Sequence, residues 1–373
     1  MLKRISMALP STDVRRQLRR SLLAWFDRCQ RDLPWRRSRD PYPIWVSEIM
    51  LQQTQVATVI PYFERFLEAF PSVEALAAAP EEEVLRLWEG LGYYRRARDL
   101  HRAAQQIVRE YGGRLPEEPA LLHTLPGIGR YTMGAILSQA FDRRLPILEA
   151  NSQRVLCRLF GRHGNPRRGP ARRWLWEVAE ALLPVRRVGA FNQALMELGA
   201  LVCTSAAPRC GECPVSESCE AFRLGIQEKI PERPAAREPI EIQEAAVVVS
   251  HRRRILFVQR PQHGRWAGLW EFPHARLEAA ESHQAAALRL LRQLTGIQAE
   301  IGSELLTLRH CVTHHHITLV CFEAQYQAGR FQSTFYRRGR WLKPADLPAF
   351  PVSAPQRRLA QLLTRPDRQL NLF

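Results

Sequence analysis

Lysine is almost absent from this chain. It stands only at positions 3, 229 and 343, so arginine supplies nearly all of the 54 basic side chains, which outnumber 37 acidic ones. The resulting net charge of +17 suits a polyanionic partner, most simply nucleic acid. Long apolar runs are missing too. None near the N-terminus has the length of a secretory signal, and none elsewhere could span a bilayer, so the expectation is a cytoplasmic chain with no membrane partner. In that compartment eight cysteines point to metal ligation rather than to disulfides. Internal repeats and low-complexity tracts are absent. At 373 residues the chain is expected to form two or three domains.

Four of the cysteines cluster. Cys203, Cys210, Cys213 and Cys219 have the spacing Cys-x6-Cys-x2-Cys-x5-Cys, a set too tight for a dispersed disulfide framework. Four thiolates in one short segment suit an iron–sulfur cluster or a structural zinc. Zinc sites usually pair two Cys-x2-Cys units across a longer loop, and only one short pair exists here, which favours a [4Fe–4S] cluster. Pro208, Gly211 and Pro214 interleave the set and make it a loop. Cys29, Cys157, Cys311 and Cys321 are scattered and read as packing residues.

The pattern from residue 14 to about 227 is helical. Apolar residues recur three and four apart in Leu18, Leu22, Trp25 and Phe26, and again in Ile49, Val56, Val59, Ile60 and Phe63. Breakers such as Pro71, Pro80, Gly112-Gly113 and Pro126 separate about ten helices. Residues 228–244 carry Pro231, Pro234 and Pro239 among charges and read as a semi-rigid linker. Residues 245–350 turn to strands: a hairpin of Ala245–Ser250 and Ile255–Gln259, a helix near Ser282–Leu294, and strands through Leu305–Leu308 and Ile317–Phe322. Residues 351–373 are left as a tail. The fold class is thus multidomain, an all-α domain with a cysteine loop at 203–219, followed by an α+β domain.

Within 121–141 a short helix ends at Leu125, Pro126-Gly127-Ile128-Gly129 makes a tight turn, and a new helix starts near Arg130. Glycines permit positive φ and close backbone approach. Amides of such a turn can point at one phosphate, as in a helix-hairpin-helix that grips DNA backbone without reading sequence. This hairpin, a following acidic residue and the cysteine spacing together resemble the endonuclease III superfamily of DNA glycosylases. Leu33-Pro34-Trp35-Arg36, the run Trp45–Val56 and Gly90-Leu91-Gly92-Tyr93-Tyr94 narrow the resemblance to its MutY-type adenine DNA glycosylases.

Cleaving an N-glycosidic bond from adenine needs a proton donor for the base and a group that stabilises the sugar cation. Glu48, on an apolar helix where burial raises a carboxyl pKa, fits the acid. By the resemblance it protonates adenine N7. The family's second carboxylate is an aspartate in an Asp-Gly-Asn-Val context. Here the segment reads Glu149-Ala150-Asn151-Ser152. Glutamate is a poor helix N-cap, so Asn151 or Ser152 is expected to take over capping. A displacement of about 1 Å can cost on the order of 10²-fold, and Glu149→Asp is then expected to speed cleavage. Tyr131 stands where bifunctional relatives carry a Schiff-base lysine, which implies hydrolysis without strand scission. The resemblance assigns Asn151 to the catalytic set and implies that Gln53 and Tyr93 intrude into the duplex during base flipping. It gives Gly127, Gly129 and Arg36 to DNA contact or to the pocket, with Trp35 shaping the pocket or packing. Arg95, Arg96 and Arg98 are candidate phosphate contacts.

The second domain resembles the Nudix-related domain of the same family. Leucine and glutamine in Arg289–Gly296 replace the carboxylates a Nudix metal site needs, so the expectation is binding rather than nucleotide hydrolysis. The family's Phe-Ser-His loop for 8-oxoguanine has Val312-Thr313-His314 as its counterpart, which assigns Thr313 and His314 to lesion contact. His314 and His316 are expected on one face of a strand. The last five residues, Gln369–Phe373, resemble the Gln-Leu-x-Leu-Phe peptide that docks on the bacterial sliding clamp. The implied protein is a nucleoid-associated, monomeric, monofunctional glycosylase acting on double-stranded DNA with adenine opposite 8-oxoguanine or guanine. Its alternatives are another base specificity on the same fold, or a lesion-binding protein impaired by Glu149.

Overall fold

The computed structural model describes residues 9–232 and 238–364. The chain divides into two compact units, one built from residues up to Ala77 and again from Arg102, the other from Ala78–His101 and the later residues.

The helices of the first stretch are α1 (Thr12–Cys29), α2 (Pro41–Leu51), α3 (Val56–Ala69), α4 (Val73–Ala78), α5 (Glu81–Leu87), α6 (Arg95–Tyr111) and α7 (Pro119–His123). They continue as α8 (Arg130–Phe141), α9 (Ala150–Leu159), α10 (Gly169–Leu182), α11 (Val188–Leu201) and α12 (Glu220–Arg223). Ser11 caps α1 by accepting from Val14 N, and the helix buries Leu18, Leu22, Trp25 and Phe26 against α9, α10 and α11. These positions are the stripe that a 3.6-residue period lays on one face. Helix α2 is different, because it is buried all round. Asp40 caps it by accepting from Tyr42 N at 2.9 Å, Pro41 opens it, and Tyr42 and every residue from Ile44 to Met50 are buried. It packs against α3 and α8, so a polar side chain at its middle must find its partners inside the protein.

Beyond residue 238 lie β1 (Ile240–His251), β2 (Arg254–Gln259), β3 (Trp270–Glu271), β4 (His274–Arg276), α13 (His283–Thr295), β5 (Gln298–Val312), β6 (His315–Ala328), β7 (Arg338–Leu342) and α14 (Ala354–Leu363). The sheet runs β3-β2-β1-β6-β5, with β4 on β1 and β7 on β2; β1 and β6 pair in parallel and the other strand pairs are antiparallel among the described residues. Alternate residues of β1 face opposite ways. Ala245, Val247 and Val249 meet α13 residues such as Leu290 and Leu291, whereas Ala246 and Val248 join a core with Leu359 and Leu363 of α14. The sheet is therefore sandwiched between two helices.

Several local readings change. β1 begins at Ile240, inside the stretch read as linker, and α14 folds residues placed in the tail. β5 and β6 are much longer than their apolar centres, and β7 was not expected. Val312 pairs with His315 across the turn, so His314 sits in the turn and does not share a strand face with His316. Cys157 and Cys321 are buried as packing residues, but Cys29 and Cys311 are exposed. Gln369–Phe373 lies outside the described residues. Among the described residues no helix is long and apolar enough to cross a membrane.

Candidate active site

Glu48 lies inside α2, in its second half, and is 4% exposed. Two side chains of α8 meet its carboxyl: Tyr131 donates its hydroxyl to Oε2 at 2.7 Å, and Gln139 donates Nε2 to Oε1 at 2.8 Å. Burial pushes the Glu48 carboxyl above its ordinary range, against the pull of these two donors. Burial and the nearby carboxyls of Glu48 and Glu149 also hold Tyr131 in its neutral form.

Glu149 forms the N-cap of α9, and here the structure corrects the sequence reading. Its longer side chain turns back and accepts from Asn151 N at 2.7 Å and Ser152 N at 2.6 Å. Ser152 completes a capping box by accepting from Glu149 N at 2.7 Å. Glu149 has the extended backbone of an ordinary N-cap, and neither Asn151 nor Ser152 replaces it as the cap. Burial raises the Glu149 carboxyl as well, opposed by the two backbone donors.

Both carboxyls, Tyr131 and Asn151 line one cavity of about 180 Å³. Its wall includes Arg31, Trp35, Arg36 and Glu197. Trp35 is buried and packs edge-on to Phe63 with ring centroids 5.4 Å apart, so it serves as both core and wall. Glu197 of α11 accepts from Arg31 at 2.7 Å and from Arg36 at 3.0 Å. Despite its burial these guanidinium bonds hold Glu197 down at about 2. The guanidinium of Arg36 is thus committed to Glu197 in the cavity wall. Sequence reasoning missed Arg31, Gln139 and Glu197. A signal existed for the last, since Glu197 is a lone carboxylate in an apolar helix, the same cue that singled out Glu48.

The hairpin between α7 and α8 has the expected form. Gly127 takes φ +78°, a turn conformation most residues avoid, and Ile128 is buried. Gly129 is the N-cap of α8 and no side chain caps that end, which leaves the first-turn amides for a ligand. Gln53 and Tyr93 are both exposed and both have positive φ, 59° and 46°. In the second unit, Arg96 donates to Leu91 O and Gly92 O, and Arg98 bonds Ala267 O. Those two arginines are structural, unlike the expected phosphate contacts, while Arg95 remains exposed beside Asp99. Thr313, exposed and at φ 58°, and His314, half-buried, form the turn of the β5–β6 hairpin.

Cys203 follows α11, Cys210 and Cys213 bracket a helical turn, and Cys219 caps α12. All four line one largely apolar cavity with Val202, Phe222 and Arg158. Among the described residues no three Cys, His, Asp or Glu side chains close around a single ion; the four thiols share the rim of this wider space. Arg158, 2% exposed, donates to Cys203 Sγ at 3.4 Å and to Thr204 O at 2.6 Å. A soft four-sulfur donor set beside a buried cation fits an anionic iron–sulfur cluster.

Residues 46–181 match the HhH-GPD superfamily of base excision DNA repair proteins, and 244–362 match the NUDIX domain. The adenine DNA glycosylase of Rattus norvegicus is 38% identical over 87% of this chain and 73% of its own. That of Homo sapiens is 36% identical over 91% and 73%. That of Buchnera aphidicola subsp. Schizaphis graminum is 36% identical over 68% and 73%. A thermostable thymine-DNA glycosylase structure superposes with TM-score 0.52 at 30% identity, covering 57% of this chain and 98% of its own. An endonuclease III bound to DNA shares the fold, with TM-score 0.51 at 20% identity over 58% and 100%.

Proposed function

We infer the activity from one premise: the chain belongs to the adenine DNA glycosylase family. The reading is a monofunctional base excision repair enzyme that hydrolyses the N-glycosidic bond of adenine mispaired with 8-oxoguanine or guanine. The observation that carries it is the cavity in which a buried Glu48 faces the capped Glu149.

The duplex is gripped at the Gly127–Gly129 hairpin, and Gln53 and Tyr93 enter the space left as adenine turns out of the stack. Arg31, Arg36 and Glu197 shape the wall around the base. Glu48 gives its proton to adenine N7, which lets the C1′–N9 electron pair leave with the base. The sugar cation is stabilised by Glu149, fixed by backbone amides, until water adds. Among the described residues neither Lys229 nor Lys343 lines the cavity, and Tyr131 offers no amine, which supports hydrolysis over an imine path. Thr313 and His314 of the Nudix-like domain contact 8-oxoguanine. Cys203, Cys210, Cys213 and Cys219 hold a [4Fe–4S] cluster, which when bound cross-links the loop. Gln369–Phe373 docks the enzyme on a sliding clamp.

The test is product analysis on duplexes pairing adenine with 8-oxoguanine, guanine or cytosine. Free adenine should appear with the first two, and strand breaks only after alkali. Breaks without alkali, with a borohydride-trapped adduct, would overturn the hydrolytic assignment, and release of another base would replace the substrate. Metal analysis should find about four irons with labile sulfide per chain; stoichiometric zinc would remove the cluster. Deleting 369–373 should abolish clamp capture and spare activity on short duplexes.

A further inference from the structure

Gln139 occupies a position that the reaction above does not use. It sits on α8, half-buried, and its Nε2 donates to Oε1 of Glu48 at 2.8 Å. The backbone beneath it is fixed. Gly189 of α11 packs so closely that a Cβ there would lie 2.4 Å from Ser138 O and 2.9 Å from Gln139 Cα. Asn192 of α11 also donates to Ser138 Oγ at 2.9 Å. The amide of Gln139 therefore reaches Glu48 from a fixed base. Its side chain lines two spaces, the cavity that holds the carboxyls and a second, polar one of about 220 Å³; Trp35, Arg36 and Gln193 line both as well.

A general acid must be held in two chemical forms. The carboxylic acid has a proton to donate and needs an acceptor; the carboxylate left behind needs donors. A hydroxyl such as that of Tyr131 can serve either form by rotation. Most other side chains serve one form only. A primary amide carries a donor and an acceptor on one planar group and can exchange them by a half-turn about its last torsion. The second cavity gives Gln139 space for that turn.

We propose that Gln139 is the positioning residue for the acid: turned over, it accepts the proton of the Glu48 carboxylic acid while the cavity is empty, it releases that proton to an incoming base, and it then donates to Oε1 of the carboxylate left behind. This rests on the reading of Glu48 as the acid that protonates the base. With Tyr131 it holds the carboxyl in place through the proton transfer, each acting through Glu48 and not through the base or the sugar. In the observed orientation the amide favours the ionised form of Glu48, so Gln139 also limits how far burial alone can raise the acid.

The test is the pH dependence of single-turnover adenine release by the holoenzyme, compared with Gln139→Leu and Gln139→Met. Methionine keeps the length of glutamine without its donor, and stands in if leucine disturbs folding. The alkaline limb of the wild-type profile reports loss of the acid's proton. In both variants that limb should move up by about one pH unit, because the amide's bond to the carboxylate is charge-assisted and stronger than its bond to the acid, so its loss costs the ionised form more. The plateau rate should fall by about tenfold, because the carboxyl is less well aimed. DNA affinity should be unchanged. A limb that stays in place in the folded variants overturns the proposal, as does a wild-type rate that is flat between about pH 5 and pH 10. Absence of adenine release by the wild-type protein on every duplex would instead overturn the reading of Glu48 on which the proposal rests.

Discussion

The middle of α2 and the first turn of α9 each bring a carboxyl to the same cavity, and they hold it in opposite ways. Glu48 is surrounded by side chains, and both of its partners, Tyr131 and Gln139, can serve as donor or acceptor. Glu149 is held by backbone amides of Asn151 and Ser152, which can only donate. Burial raises both carboxyls, but only the first environment accommodates a proton that comes and goes. The second opposes the effect of burial with donors at a helix N-terminus, where the helix dipole favours negative charge. Two identical side chains can divide acid and electrostatic work because one is buried in mid-helix and the other caps an end.

The largest effect should come from removing the proton donor. Glu48→Gln should lower adenine release on the order of 10²- to 10⁴-fold and leave DNA binding intact. Its effect on stability has a definite sign. A carboxyl raised above 4.5 contributes stability that is complete at acid pH and lost as pH rises through its folded-state value. The variant should therefore lose less melting temperature than the wild type between acid and alkaline buffers. An equal loss would show that Glu48 is not the raised group.

Glu197 is the contrasting carboxylate, paired with charged partners. Held at about 2, it contributes stability present above about pH 4.5 and lost as pH falls toward about 2. Glu197→Gln removes the negative charge that Arg31 and Arg36 share and should cost about 3 kcal/mol in denaturant unfolding at neutral pH. A cost near zero would mean that both guanidinium groups find solvent.

The capped end predicts smaller effects. Because Glu149 fills its cap, Glu149→Asp should draw the charge back and slow single-turnover cleavage by about tenfold. Faster cleavage would restore the expectation that glutamate is misplaced. Ser152→Ala removes the reciprocal bond of the capping box and should cost about 1 kcal/mol of stability, read from the unfolding midpoint.

The cysteine spacing, the glycine turn after α7, the helical character of the first stretch and the change to strands near residue 240 were all legible in the chain. Each is a local signal: a period, a breaker or a donor set within a few residues. Glu48 was legible for the same reason, as a charge on an otherwise apolar helix. The partners of these groups were not. Tyr131 and Gln139 lie 83 and 91 residues from Glu48, and Arg31 lies 166 from Glu197. The segment Ala78–His101 joins the second unit through contacts such as Trp270 Nε1 donating to Glu82 Oε1, 188 residues away. Even the cap of α9 escaped, because propensity ranks glutamate low as a cap, whereas here its side chain accepts from two amides and Ser152 closes the box. The sequence by itself determined the helical first stretch, the change to strands and the cysteine loop, because those depend on neighbours along the chain. Tertiary structure alone decided which side chains meet at the cavity and whether a carboxyl there keeps or loses its proton. Both depend on packing across distant segments and on the exclusion of water.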